Sequence, residues 1–153
     1  MVARSIVSIG FLALALSLTA AGPGIKVQLA GGTVSSIAVN ASLRLDLTRT
    51  DSLLIHLGKS DLGIPYNKIN TVEYGQNVNR RYAAAVLISP VLLLSKTRKH
   101  FVTIGYLDQE GKQQALVIRV EKGDIRPVLA SLEARTGRRI EYQAGEARKA
   151  GTG

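Results

Sequence analysis

The side chains able to do chemistry in this chain are few. His56 and His100 are the only two histidines, and cysteine and tryptophan are absent. A thiol nucleophile, a disulfide and a thiolate-bound metal are therefore excluded, and two imidazoles cannot build a histidine-rich metal centre. No serine, histidine and aspartate stand in a spacing that suggests a relay. Asp61, Asp108 and Glu110 fall in turn-like stretches, where acids are ordinary. Asp46 and Glu73 lie in strand-like ones. His56 sits on the face opposite Leu53, Ile55 and Leu57, a surface position, and His100 belongs to a basic cluster. The glycines of "GGTVSSIAVN" lack the lysine and the strand–glycine–helix context of a phosphate loop. These residues imply no enzyme, no cofactor and no metal. A hydrolase acting on the cell envelope is the distant alternative.

Charge points to binding. With 20 Lys and Arg against 11 Asp and Glu, the formal charge is +9 and the isoelectric point is near 10.2. Such a surface favours anionic partners. Two basic groups flank one apolar run in "RRYAAAVLISPVLLLSKTRKHF": Arg80 and Arg81 before it, and Lys96, Arg98, Lys99 and His100 after it. These six are the candidate anion or membrane-surface residues. As a helix, the run from Ala83 to Leu94 would span roughly 18 Å at about 1.5 Å per residue, against roughly 30 Å of bilayer core. It reads instead as two strands broken at Ser89-Pro90, because the residue before a proline is held extended. These strands are expected in the middle of the sheet, between "NTVEYG" and "HFVTIG". Leu92, Leu93 and Leu94 then point to both faces, one of which needs a cover: the signal-proximal segment, a partner or lipid.

The elements that must position these residues follow from periodicity. Leu43, Leu45 and Leu47 alternate with polar neighbours, and Leu53, Ile55 and Leu57 repeat the pattern across a "TRTD" turn, which predicts a hairpin. "IPYNKINTVEYG" continues as an extended stretch opened by Pro65. "HFVTIGYLD" and "QQALVIRV", joined by "QEGK", predict a second hairpin. The period then changes: Ile125, Val128, Leu129 and Leu132 fall on one helical face, with Asp124 at the N-cap position, Pro127 in the first turn and Gly137 at the C-cap. "RRIEY" is a short final strand. A twisted sheet must hide its apolar interior, so the fold class is mainly β: a small antiparallel barrel or bent sheet capped by a C-terminal amphipathic helix.

The N-terminus carries Arg4, an apolar run from Ile6 and small residues at Thr19-Ala20-Ala21, the layout of a signal peptide. The run to Ala21 is shorter than the roughly 20 residues of a membrane-spanning helix, with a retained anchor as the alternative. The expected organisation is residues 1–21 as signal, 22–41 as a weakly structured lead-in with strand character at Ile25, Val27 and Leu29, 42–142 as the domain, and 143–153 as a polar tail. The location is then periplasmic or secreted, where nucleic acid is a poor candidate partner. The oligomeric state is not set by sequence.

The meander from Leu43 to Val120 followed by the helix from Asp124 to Thr136 resembles the bacterial pleckstrin-homology-like (PH-like) domains. "IPYNKI" is similar to the strand these domains use after their second, and "KHFVTIGYLDQEGK…LVIRV" to their last hairpin. The resemblance implies a binding or scaffolding module without chemistry. Family members that bind phosphoinositides use basic residues between their first two strands; the loop matched to it here, "TRTD", pairs Arg49 with Asp51 and makes a poor cradle. The expected function is a non-catalytic exported domain that binds a protein or envelope partner. The alternative is binding of an anionic membrane surface or ligand through Lys96 to His100.

Overall fold

The alternating leucines form the strands they predict. In a computed structural model, which describes residues 24–34, 37–76, 87–88 and 99–143, Ser42–Asp46 is β2 and Ser52–His56 is β3. They pair antiparallel, with Leu45 opposite Ile55. Leu43, Leu45, Leu53 and Ile55 are all buried on one face, as a period of two requires. The stretch "IPYNKINTVEYG" is not one strand. Asp61–Pro65 forms β4, Tyr66–Lys68 a 3-10 turn, and Ile69–Gly75 forms β5. Pro65 has no N–H to offer a ladder, and the chain turns directly after it.

β1 is Ile25–Gly32, within the stretch that reads as a lead-in. It is the strand on which the sheet is built. Its first half pairs with β2, Ile25 opposite Leu45. Its second half pairs with β8 (Gln113–Val120), Leu29 opposite Ile118. A register shift between Leu29 and Gly31 marks the changeover, and such bulges bend and twist a strand. The domain therefore begins before residue 42.

The sheet runs β4-β3-β2-β1-β8-β7-β5-β9, with β7 at His100–Leu107, β9 at Glu141–Tyr142, and β6 (Leu87–Ile88) paired to β1 off this path. β9 lies parallel to β5 and every other pairing is antiparallel. The path ends on β4 at one side and β9 at the other, so the sheet is bent and open: of the two expected forms the bent sheet stands and the barrel is corrected. A second correction concerns the middle of the sheet. β5 bonds directly to β7, Val72 opposite Ile104 and Tyr74 opposite Val102, so no strand lies between them. Leu87 and Ile88 pair instead with Gly32 and Gly31. The Ser89-Pro90 turn lies outside the described residues.

The two halves of the sheet differ. In β3, buried and partly exposed residues alternate, whereas Phe101 to Tyr106 in β7 and Ala115 to Ile118 in β8 are buried without interruption. One face of this second half joins the main core through Val102, Ile104, Leu116 and Ile118. The other buries Phe101, Thr103, Ala115 and Val117. A strand buried on both faces reads as a near-continuous apolar run, as "FVTIGYL", broken only by Thr103, and "ALVI" do.

Helix α1 (Ile125–Thr136) brings Ile125, Val128, Leu129 and Leu132 to the main core. It meets the sheet along β5 and the 3-10 turn. Gly137 closes it in the left-handed region at φ 65°, its N–H donating to Glu133 O at 2.9 Å. Asp124 holds the N-cap position without a capping bond from its side chain. Arg135 secures the C-terminal end: it donates to the carbonyls of Arg49 and Thr48 and lies 5.7 Å from the Tyr66 ring centroid.

Candidate functional site

Arg80, Arg81, Lys96 and Arg98, and the apolar candidates Leu92, Leu93 and Leu94, lie outside the described residues. Lys99 and His100 are described, and both are half-buried at the start of β7. The His100 Nδ1 and the Tyr74 hydroxyl are hydrogen-bonded at 2.7 Å. Their rings stack with centroids 6.0 Å apart, and Tyr142 meets Tyr74 edge-on at 5.9 Å. His100 is thus held at the rim of the core face by an aromatic group built from β5, β7 and β9. Sequence spacing gives no hint of a partner 26 residues away.

The structure assembles a different basic group on the outer face of β1, β2 and β3. Register puts Lys26 opposite Arg44, Arg44 opposite His56, and His56 opposite Asp61. Three nitrogenous side chains from three neighbouring strands thereby fall in one row, at the roughly 4.8 Å spacing of hydrogen-bonded strands. Lys26, Ser42, Arg44, His56 and Gly58 line an open hollow of about 460 Å³. Gly58, at φ 86°, makes the tight β3–β4 turn, which Leu57 N–H closes on Ser60 O at 2.8 Å. His56 Nδ1–H donates to Asp61 Oδ1 at 2.8 Å, and an Arg44 terminal amine donates to Gly24 O at 3.2 Å. Arg44 Nε and His56 Nε2 are covered from solvent and have no hydrogen-bond partner, a condition that costs on the order of 1–3 kcal/mol per group.

Of the acids near this row, Asp61 pairs with His56 and Asp46 turns to Thr48. Asp46 accepts from the Thr48 hydroxyl at 2.7 Å and the Thr48 N–H at 2.8 Å. These bonds hold its pKa below the usual carboxylate value. Farther along β1, Gln28 accepts from Arg119 at 3.0 Å, and Arg119 also pairs with Glu121 at 3.1 Å. That cation is already neutralised by its neighbour. The row escaped sequence reading because Lys26 sits in the segment read as a lead-in. Without β1 in the sheet, Arg44 and His56 look like two isolated solvent-facing residues.

A second surface is the outer edge of β4. Its inner edge bonds β3, Ile64 opposite Leu53. Among the described residues no strand pairs with its other side. Beside it opens a cleft of about 600 Å³ between β4 and the β7–β8 turn, lined by Leu62, Ile64, Lys68, Tyr106, Asp108 and Lys112 among others. Burial pushes the Tyr106 phenol up. Asp108 is held low, first by the Gln114 amide and then by the Lys112 N–H, at 2.8 Å each. The carboxylate therefore locks the turn.

Proteins known by family or by curation offer no counterpart: the chain matches no family model and no curated sequence. Among the described residues, no helix is long and apolar enough to cross a membrane. With β1 in place, the loop between the first two strands is residues 33–41, "TVSSIAVNA", which carries no lysine or arginine.

Proposed function

We propose that this chain is a non-catalytic, exported binding domain of PH-like architecture that holds a protein partner of the cell envelope. A continuous antiparallel path from β4 through β1 to β5, followed by one C-terminal helix, supports the PH-like reading. The apolar N-terminal run behind Arg4 supports export. The observation that carries the binding role is the open edge of β4. Its backbone donors and acceptors are a template for an extended segment of another protein. The adjoining cleft offers the half-buried Leu62, beside the buried Ile64 and Tyr106, to an apolar side chain of that segment, and Lys68 and Lys112 to acidic ones. The edge spans five residues and ends at Pro65, so it accepts a short strand and resists open-ended stacking. Binding of an anionic membrane surface through Lys96 to His100 is the weaker reading, because His100 is half-buried and tied to Tyr74.

Gly63 gives a clean test. It is exposed on β4, and an added side chain would meet only Leu54 Cδ1, at 3.9 Å. A photo-reactive amino acid placed there in the producing cell is expected to yield a discrete protein adduct on the exported chain. The same residue at Gly123, which also has open space, is expected to yield none. Equal labelling from both positions, or adducts from neither, rejects the reading.

A further inference from the structure

The row Lys26–Arg44–His56 is unusual in its electrostatics. Like charges directly opposite each other on neighbouring strands repel, yet Lys26 faces Arg44 in register. Lys59 adds another cation in the adjoining turn, which spans residues 57–60. Among the described residues, no carboxylate lines the hollow between them. The two nearest acids are committed: Asp61 to His56 Nδ1 and Asp46 to Thr48. Stability alone would favour an acid opposite Lys26 or Arg44, as Asp61 stands opposite His56. The arrangement becomes favourable when an anion sits among the cations.

We infer that Lys26, Ser42, Arg44, His56 and the Gly58 turn form a binding site for a phosphate group, either free or as a phosphate monoester. The residue types suit that chemistry. The planar guanidinium of Arg44 presents two parallel N–H donors to two oxygens of a tetrahedral anion. Lys26 supplies a point charge on a flexible stem, and Ser42 a neutral hydroxyl. Asp61 accepts from His56 Nδ1–H, which leaves Nε2 a bare acceptor without a partner, suited to the P–OH of a hydrogen phosphate. Arg44 Nε also lacks a partner, so a ligand that draws the two side chains toward the hollow satisfies groups that the empty site leaves unpaired. The hollow, at about 460 Å³, is of small-ligand size. The site uses the strand face, not the cation-free 33–41 loop, and it stands independently of the β4 edge and its partner.

The test is titration of the full chain with inorganic phosphate, followed by amide chemical shifts against chloride at equal ionic strength. Saturable shifts centred on residues 26, 42, 44, 56 and 58 are expected within tens of millimolar. Lys26→Gln is expected to weaken binding roughly tenfold, the loss of one charge-assisted contact. It should leave thermal stability without phosphate unchanged or raised, because it removes a repulsion. Arg44→Lys keeps the charge without the paired donors and is expected to weaken binding as well. Co-sedimentation with phosphatidic acid vesicles then separates the sources. Pelleting lost in Lys26→Gln assigns the phosphate to a lipid headgroup, and phosphate shifts without pelleting assign it to a soluble monoester. Shifts no larger than those of chloride, shifts confined to Lys99 and His100, or undiminished binding in both variants overturn the proposal.

Discussion

Single side chains in this chain carry costs and gains that can be measured one at a time. Tyr66 is 4 % exposed and its hydroxyl has no hydrogen-bond partner, and the same burial raises its pKa. Tyr66→Phe keeps the ring beneath Arg135 and removes an unsatisfied group, so it is expected to stabilise the fold by about 1 kcal/mol in urea denaturation; a comparable loss would mean that the hydroxyl has a partner in solution. Asp46 and Asp108 work in the opposite sense. Their hydrogen bonds, from the Thr48 hydroxyl and the Gln114 amide first of all, hold both below the ordinary 3.8. A carboxylate depressed in the folded state contributes stability in full above its unfolded value and loses it as pH falls through the folded one. The urea midpoint is therefore expected to drop below about pH 4, and Thr48→Ala to make that drop shallower. An unchanged acid profile in Thr48→Ala would show that Asp46 does not depend on this bond. Such pairings were partly legible: Asp108 stands in a turn by composition alone. His56, Arg44 and Lys26 were not legible as a group, because cross-strand neighbours appear only once register is known.

At the level of elements, periodicity served well where each strand or helix has one buried face. The β2–β3 and β7–β8 hairpins and α1 stand close to their expected places because alternation and the i, i+3, i+4 pattern directly encode burial. The break at Tyr66–Lys68 has no comparable signal beyond Pro65. The direct β5–β7 pairing was hidden by the long intervening segment, whose apolar character suggested extra central strands. The helix is where element-level energetics are sharpest. Leu132 is fully buried in the core, and Leu132→Ala is expected to cost about 2–5 kcal/mol. Gly137→Ala forces a side chain into the left-handed region and is expected to cost about 1 kcal/mol, although nothing lies within 4 Å of the added carbon. Thermal melts that show Gly137→Ala as the more damaging of the two would contradict the role given to the apolar face.

The whole molecule depends on a strand whose own sequence looks unassuming. β1 joins the β2–β3–β4 half to the β5–β7–β8 half, pairing with each along a different part of its length, and it also places Lys26 in the basic row. A chain starting at Ser42 leaves both halves with exposed inner edges and is expected to lose cooperative unfolding, whereas one starting at Gly24 keeps it. A cooperative transition in the shorter chain would show that β1 is dispensable. Among the described residues the sheet stays open on the β4 side, and the proposed partner binding depends on that opening. Hydrogen–deuterium exchange across residues 61–65 tests it most directly, with the chain measured alone and then in the complex isolated through Gly63. Fast exchange is expected at the outward-facing amides of β4 in the free chain, and marked slowing in the complex. Amides of β4 already protected in the free chain, or protection in the complex that leaves β4 untouched, would contradict it.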